Sequence, residues 1–165
     1  MKTLLLIRHA KSSWDQPGVD DFDRPLNERG KKDAPEMAKR LKDKKIHIDL
    51  FVSSPAKRAR RTAKFFAKEW DVKKDEIKLV DGLYMAGPSA FLKAIEDLDN
   101  KKDSVALFAH NPGITELANL LTNVHIDDMP TCSVFAVQAD TNSWQEFKNA
   151  GKKFIFFDYP GNPHP

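Results

Sequence analysis

Four consecutive apolar residues, Leu4-Leu5-Leu6-Ile7, stand near the start of the chain and stop at Arg8-His9. A short unbroken apolar run bounded by polar residues predicts a strand buried on both faces, here about Lys2 to Arg8. Val105-Ala106-Leu107-Phe108-Ala109 repeats the design and runs into His110-Asn111-Pro112-Gly113, predicting a strand over Ser104 to Ala109. Between these runs the period changes. From Asn27, a good N-cap, to Lys44, the residues Ala34, Met37, Ala38 and Leu41 recur at helical spacing. Leu50-Phe51-Val52 predicts a second strand. Ser54-Pro55 then has the cap-then-proline pattern of a helix start, with Ala59, Ala63, Phe66 and Trp70 turned inward. A short strand over Ile77 to Val80 follows. Next come a helix over Pro88 to Leu98, burying Phe91, Leu92 and Ile95, and another over Gly113 to Leu121.

The last third changes character. Ser133 to Gln138, Trp144 to Phe147 and Lys153 to Phe157 predict antiparallel strands joined by Asp140-Thr141-Asn142 and Asn149-Ala150-Gly151. The alternation predicts an α/β fold: a three-layer α/β/α sandwich with a mixed, mostly parallel central sheet. No repeat or composition break divides residues 1–165, so a single domain is expected.

Composition narrows the function classes. Lys and Arg number 27 against 24 Asp and Glu, a net charge of +3. That favours an anionic ligand weakly and does not argue for nucleic acid. Lys57, Arg60, Arg61 and Lys64 fall on an amphipathic helix and read as its solvated face. The one cysteine, Cys132, cannot form an internal disulfide, fits a reducing compartment, and reads as a core residue. A cysteine phosphatase wants an arginine six residues further on, where Gln138 stands. The apolar start is too short for a signal peptide, and no run approaches bilayer length. A cytoplasmic protein with no membrane or nucleic-acid partner is expected. No Gly-rich phosphate loop and no zinc-type Cys/His spacing occurs. His47, His125 and His164 read as surface residues, and Trp14 as a loop anchor.

In open α/β sheets, ligands bind beyond the carboxyl ends of the strands. Arg8-His9 and His110 stand at two such ends. The stretch Ser53 to Ala63 leads from a third into a helix whose N-terminus attracts anions. Arg58 falls in its first turn, so Arg8 and Arg58 can clamp one phosphate with planar guanidinium forks. His9 is then placed to attack phosphorus. Neighbouring positive charge is expected to lower its pKa and keep the imidazole unprotonated.

These motifs resemble one family. Arg8-His9-Ala10, Ser54-Pro55-x-x-Arg58-Ala59-x-x-Thr62-Ala63 and Ala109-His110-Asn111-Pro112 are similar to the histidine phosphatase (phosphoglycerate mutase-like) superfamily. Chain length, Arg8 to Trp14 and Asp23-Arg24-Pro25-Leu26-Asn27-Glu28-Arg29-Gly30 resemble its small SixA-type phosphohistidine phosphatase branch. The resemblance runs from Leu4 to about Leu121. It implies a two-step reaction in which His9 becomes phosphohistidine and water then hydrolyses it. Arg8, Arg58 and His110 are the implied stabilisers of the phosphoryl oxygens. It implies no metal and no cofactor. Arg24 is a candidate substrate contact, with a surface pair to Asp23 as the alternative.

Two departures from the family pattern bear on substrate. Larger members carry an acid, the proton donor to an alkoxide, in a segment matching Leu83-Tyr84-Met85-Ala86-Gly87. No carboxylate stands there, although Asp81 lies just before it. Where mutase-like members carry a phosphate-binding asparagine, six residues past the histidine, Asp15 stands. The missing acid favours a nitrogen leaving group, and hence a phosphorylated protein bearing phosphohistidine, over a small phosphorylated substrate. The alternatives are a small-molecule phosphate ester phosphatase of the same superfamily and a phospho-binding module without turnover.

Overall fold

The computed structural model describes all residues, Met1–Pro165. Its centre is β1 (Lys2–Arg8), whose four apolar residues are fully buried because both faces are covered. The other strands are β2 (Leu50–Ser53), β3 (Lys78–Leu79), β4 (Ser104–Ala109), β5 (Val134–Ala139) and β6 (Lys152–Asp158). They form one sheet in the order β3-β2-β4-β1-β5-β6. β3, β2, β4 and β1 pair in parallel, while β5 pairs antiparallel with both β1 and β6. The helices are α1 (Glu28–Asp43), α2 (Lys57–Glu69), α3 (Pro88–Glu96) and α4 (Gly113–Leu121). No helix is long and apolar enough to cross a membrane.

Strand alternation splits the core. Leu5, Ile7, Phe51, Ala106 and Phe108 pack against Met37 and Leu41 of α1 and Ala63 and Phe66 of α2. Leu4, Leu6, Val105 and Leu107 face the other way, onto Phe91 and Ile95 of α3 and Ile114 and Leu117 of α4. The result is the expected three-layer α/β/α sandwich with a mostly parallel sheet. β1 and β4 are adjacent, yet the helices that follow them lie on opposite faces. Such a divergence opens a crevice beyond the carboxyl ends of the two strands.

Two local expectations change. Trp144 to Phe147 is no strand: Trp144–Glu146 is a 3-10 turn. Its apolar residues, Trp144 and Phe147, are three apart, which is a helical spacing rather than the period of two that a strand needs. Trp144 is fully buried and donates from Nε1 to the Lys102 carbonyl at 2.7 Å. The second difference is the start of α2. The helix begins at Lys57, with Ala56 at the cap position. Ser54 accepts only from the nearby Ala56 N–H, at 3.2 Å, because its hydroxyl is engaged elsewhere. Asn27 does cap α1, accepting from Gly30 N–H at 2.9 Å.

Candidate active site

Arg8 and His9 leave the end of β1 at the crevice. His9 is buried, and its Nδ1 lies 2.7 Å from the Ala10 carbonyl oxygen. A carbonyl only accepts, so Nδ1 carries the ring proton and Nε2 keeps its lone pair. Nε2 faces Arg58, whose Nε–H donates to it at 3.3 Å. Burial is the largest influence on the His9 pKa, and nearby His110, Arg58 and Arg8 add to it. Together they outweigh the Ala10 carbonyl and hold the pKa at about 3. The expectation of a neutral imidazole is met, with burial rather than neighbouring charge as the main cause. The backbone ahead of β5 fixes the turn, since Cys132 N–H bonds the carbonyls of both Arg8 and His9 at 3.0 Å.

His110 leaves the end of β4 and comes to 5.2 Å from His9 between ring centroids. Its Nε2 is 2.7 Å from Ser54 Oγ. Ser54 Oγ already accepts from Ala56, and its proton has one available acceptor, His110 Nε2. Satisfying that hydroxyl puts the imidazole proton on Nδ1. His110 Nδ1 is buried with no protein partner, and so is Arg8 Nε. Burial first, then Arg58, lowers the His110 pKa to about 4 against the opposing pull of Asp21. Arg8 donates from Nη1 to the Met129 carbonyl at 2.8 Å, which fixes its guanidinium.

Arg58 is held from the far side by Asp21. Its Nη1 donates to the Asp21 carbonyl at 2.6 Å and its Nη2 to Asp21 Oδ2 at 3.1 Å. Tyr84 donates its hydroxyl to the same Oδ2 at 2.7 Å, and Arg24 Nε donates to Oδ1 at 3.1 Å. Partial burial pushes the Asp21 pKa up. The bonds from Tyr84 and Arg58 outweigh that and bring it down to about 2. Asp21 is therefore a carboxylate at any ordinary pH and orients Arg58 without donating a proton.

The sequence-predicted set converges. Arg8, His9, Arg24, Arg58 and His110 all line one cavity of about 780 Å³. Arg24 pairs with Asp21 and not with Asp23, and it bonds Ser12 Oγ at 2.6 Å. A neighbour one turn earlier has the better reach across the loop. Trp14 anchors nothing by burial: it is 76 % exposed, with the Arg24 guanidinium 3.4 Å above its ring. Asp81 and Asp15 do not line the cavity; its carboxylates are Asp21 and Glu116. Asp21, Tyr84 and Ser54 were missed by sequence reasoning. Ser54 carried a signal, but one read as a helix cap. No group of three or more His, Cys, Asp and Glu side chains gathers as a metal would need. Cys132 is fully buried as expected, and burial pushes its thiol pKa up.

Known proteins resemble this chain in sequence and in fold. A family model for the histidine phosphatase superfamily (branch 1) matches residues 4–83. An uncharacterized chloroplastic protein of Arabidopsis thaliana is 31% identical over 155 residues, 88% of this chain and 70% of the relative. Phosphoserine phosphatase 1 of Hydrogenobacter thermophilus is 38% identical over 86 residues, 49% of this chain and 40% of the relative. Among solved structures, a candidate phosphohistidine phosphatase SixA from Agrobacterium tumefaciens superposes with a TM-score of 0.81 at 27% identity. That match covers 97% of this chain and 99% of the other. Family model, relative and fold agree, and the chain belongs to the histidine phosphatase superfamily.

Proposed function

We propose that the chain is a phosphatase acting on protein phosphohistidine through a phosphoenzyme formed on His9. The observation that carries the phosphoryl site is that Arg8, His9, Arg58 and His110 line one cavity, and that two of their nitrogens, Arg8 Nε and His110 Nδ1, are buried with no protein partner. Buried donors without partners are rare in folded proteins, and a bound phosphoryl anion is the kind of ligand that satisfies them. His9 Nε2 gives its lone pair to phosphorus as the P–N bond of the substrate breaks. Arg8, Arg58 and His110 hold the three phosphoryl oxygens as charge builds on them. The substrate imidazole leaves with the bonding pair, neutral when its other ring nitrogen already carries a proton. Water then attacks the phosphorus on His9, its proton passes to inorganic phosphate, and Nε2 regains its lone pair.

The nitrogen leaving group is favoured by what the cavity lacks. Residues 83–87 hold no carboxylate, Asp81 lies outside the cavity, and Asp21 is ionised. Only Glu116, exposed at the rim, is a carboxylate free of such bonds. Resemblance to the Agrobacterium protein points the same way. The partial match to phosphoserine phosphatase 1 favours a second reading, hydrolysis of small phosphate esters.

A substrate panel decides between them. Phosphohistidine peptide, aryl phosphates and alkyl phosphates are expected to be turned over in falling order, with log rate falling steeply with leaving-group pKa among the esters. Alkyl phosphates hydrolysed as fast as aryl ones would mean that an acid is present and would support the ester reading, with Glu116→Gln the first variant to make.

A further inference from the structure

Helix α2 carries its charges in an order that opposes its own stability. Lys57, Arg58 and Arg60 stand at its start, with no acidic residue in the first turn. The positive end of a helix dipole favours carboxylates there. Lys57 and Arg61, Arg60 and Lys64, and Lys64 and Lys68 are like charges four residues apart, which repel. In α1, by contrast, Lys31 pairs with Glu28, Arg29 with Asp33, and Arg40 with Asp158. Of the cations on α2, Arg58 alone is in a salt bridge. Residues 57–78 hold nine basic and four acidic side chains, and the rest of the chain holds eighteen and twenty. The positive excess of the protein therefore resides in this one segment.

These cations line a groove. A cavity of about 740 Å³ between the outer face of α2 and residues 71–75 is walled by five cations, Arg61, Lys64 and Lys74 among them, against Asp71 and Asp75. Phe65 and Val72 supply its apolar surface. A second hollow of about 540 Å³ shares Arg61, Lys64 and Lys74 and reaches Lys57, Ile77 and Leu79. β3 is the edge of the sheet, and Leu79 is 48 % exposed. One end of the groove is thus Lys57, the sequence neighbour of Arg58 in the catalytic cavity.

We propose that this groove docks an acidic, extended segment of the protein substrate, next to the residue that carries the phosphoryl group. The proposal rests on the phosphohistidine reading. Carboxylates laid along the groove offset both the dipole and the repulsion between like charges. Phe65, Val72, Ile77 and Leu79 suit alternate apolar side chains, which a nucleic-acid backbone does not possess. The second hollow ends at Lys57, which directly precedes Arg58 of the catalytic cavity, so an extended chain leaving the hollow at that end is directed toward the cavity. At 1.5 Å per residue the helix runs about 20 Å, the span of roughly six extended residues.

The test is fluorescence anisotropy with a labelled, unphosphorylated peptide of roughly six alternating Glu and Leu residues, and the same peptide with Gln for Glu. The protein is compared with the triple variant Arg61→Glu, Lys64→Glu, Lys74→Glu and with its Gln counterpart. The Glu peptide is expected to bind about tenfold or more tightly than the Gln peptide at low salt. Both triple variants lose about tenfold or more in affinity, while kcat/KM on a free phosphoramidate is unchanged. Equal binding of the two peptides, or full affinity in the triple variants, would overturn the proposal. So would tighter binding of oligothymidylate or phosphatidylserine vesicles than of the Glu peptide. The peptide carries no phosphoryl group, so this result and the substrate panel fail independently.

Discussion

Each site histidine has its proton placed by a different oxygen: the Ala10 carbonyl for His9 and the Ser54 hydroxyl for His110. The two arginines are placed as firmly, Arg8 by the Met129 carbonyl and Arg58 by Asp21. Asp21 puts a negative charge near an anion site, which weakens phosphate binding. It also fixes the guanidinium. Its side chain is 44 % exposed, so solvent screens the charge, and the geometric effect is expected to win. Asp21→Ala should therefore lower kcat/KM by about tenfold to hundredfold, with part of the loss recovered in Asp21→Asn. Unchanged steady-state kinetics in Asp21→Ala would remove it from the machinery.

The neutral histidines also set how stability responds to acid. Their pKa values are about 3 and about 4 in the folded chain, against an ordinary 6.5. The unfolded chain takes up these protons first. Stability contributed by the neutral rings is thus whole above pH 6.5 and is lost as pH falls toward the folded values. Each ring accounts for about 2 kcal/mol between pH 6.5 and 5. Asp21, at about 2 instead of 3.8, acts in a separate window below pH 4. Urea unfolding at pH 7 and pH 5 should show the loss, and His9→Gln should show less of it. An equal loss in His9→Gln would mean that other groups carry the acid sensitivity.

At this scale the sequence was legible where strands deliver side chains. Arg8, His9 and His110 stand at strand ends, and Arg58 in a helix's first turn, so periodicity located them. Asp21 opens one short 3-10 turn and Tyr84 ends another, each too short to show a period, and nothing local says that the two meet at 2.7 Å.

At the scale of elements, two glycines let loops reach the site. Gly113 opens α4, and a Cβ there would stand 1.8 Å from the Ala86 carbonyl oxygen, with Phe91 beside it. Gly30 in α1 would meet the Lys11 carbonyl oxygen at 2.2 Å. Both neighbours are backbone of the loops that line the cavity, so neither gives way cheaply. Gly113→Ala is expected to cost about 1–3 kcal/mol of stability and to raise KM, because Ala86 and Met85 must shift. A variant with unchanged unfolding midpoint and KM would show the contact to be slack. Long periodic elements such as α1 and β1 could be read from the chain. Trp144 to Phe147 was misread because two apolar residues with two polar ones between them are too few to fix a period, and its turn is decided by packing of the buried Trp144. The start of α2 was misplaced because Ser54 serves His110 instead of the helix.

Across the whole molecule, placing β4 beside β1 turns two motifs about a hundred residues apart into one pocket. The parallel register sets Arg8 opposite Ala109, so His9 and His110 emerge side by side. Nothing in local sequence states that adjacency. The recurrence of a buried run ending in histidine suggested it, and the general placement of ligands at strand ends made it a reasonable expectation. The same topology leaves β3 and α2 on one flank, where the unpaired positive charge accumulates.

In the proposed reaction His9 carries the phosphoryl group between substrate and water. Rapid quenching of the protein with a radiolabelled phosphohistidine peptide tests it most directly, with the labelled residue located by mass spectrometry under mildly alkaline conditions. An acid-labile, base-stable label is expected on His9, forming and decaying at rates consistent with turnover, and absent, together with turnover, in His9→Ala. A label on another residue, or substantial turnover by His9→Ala, would contradict it.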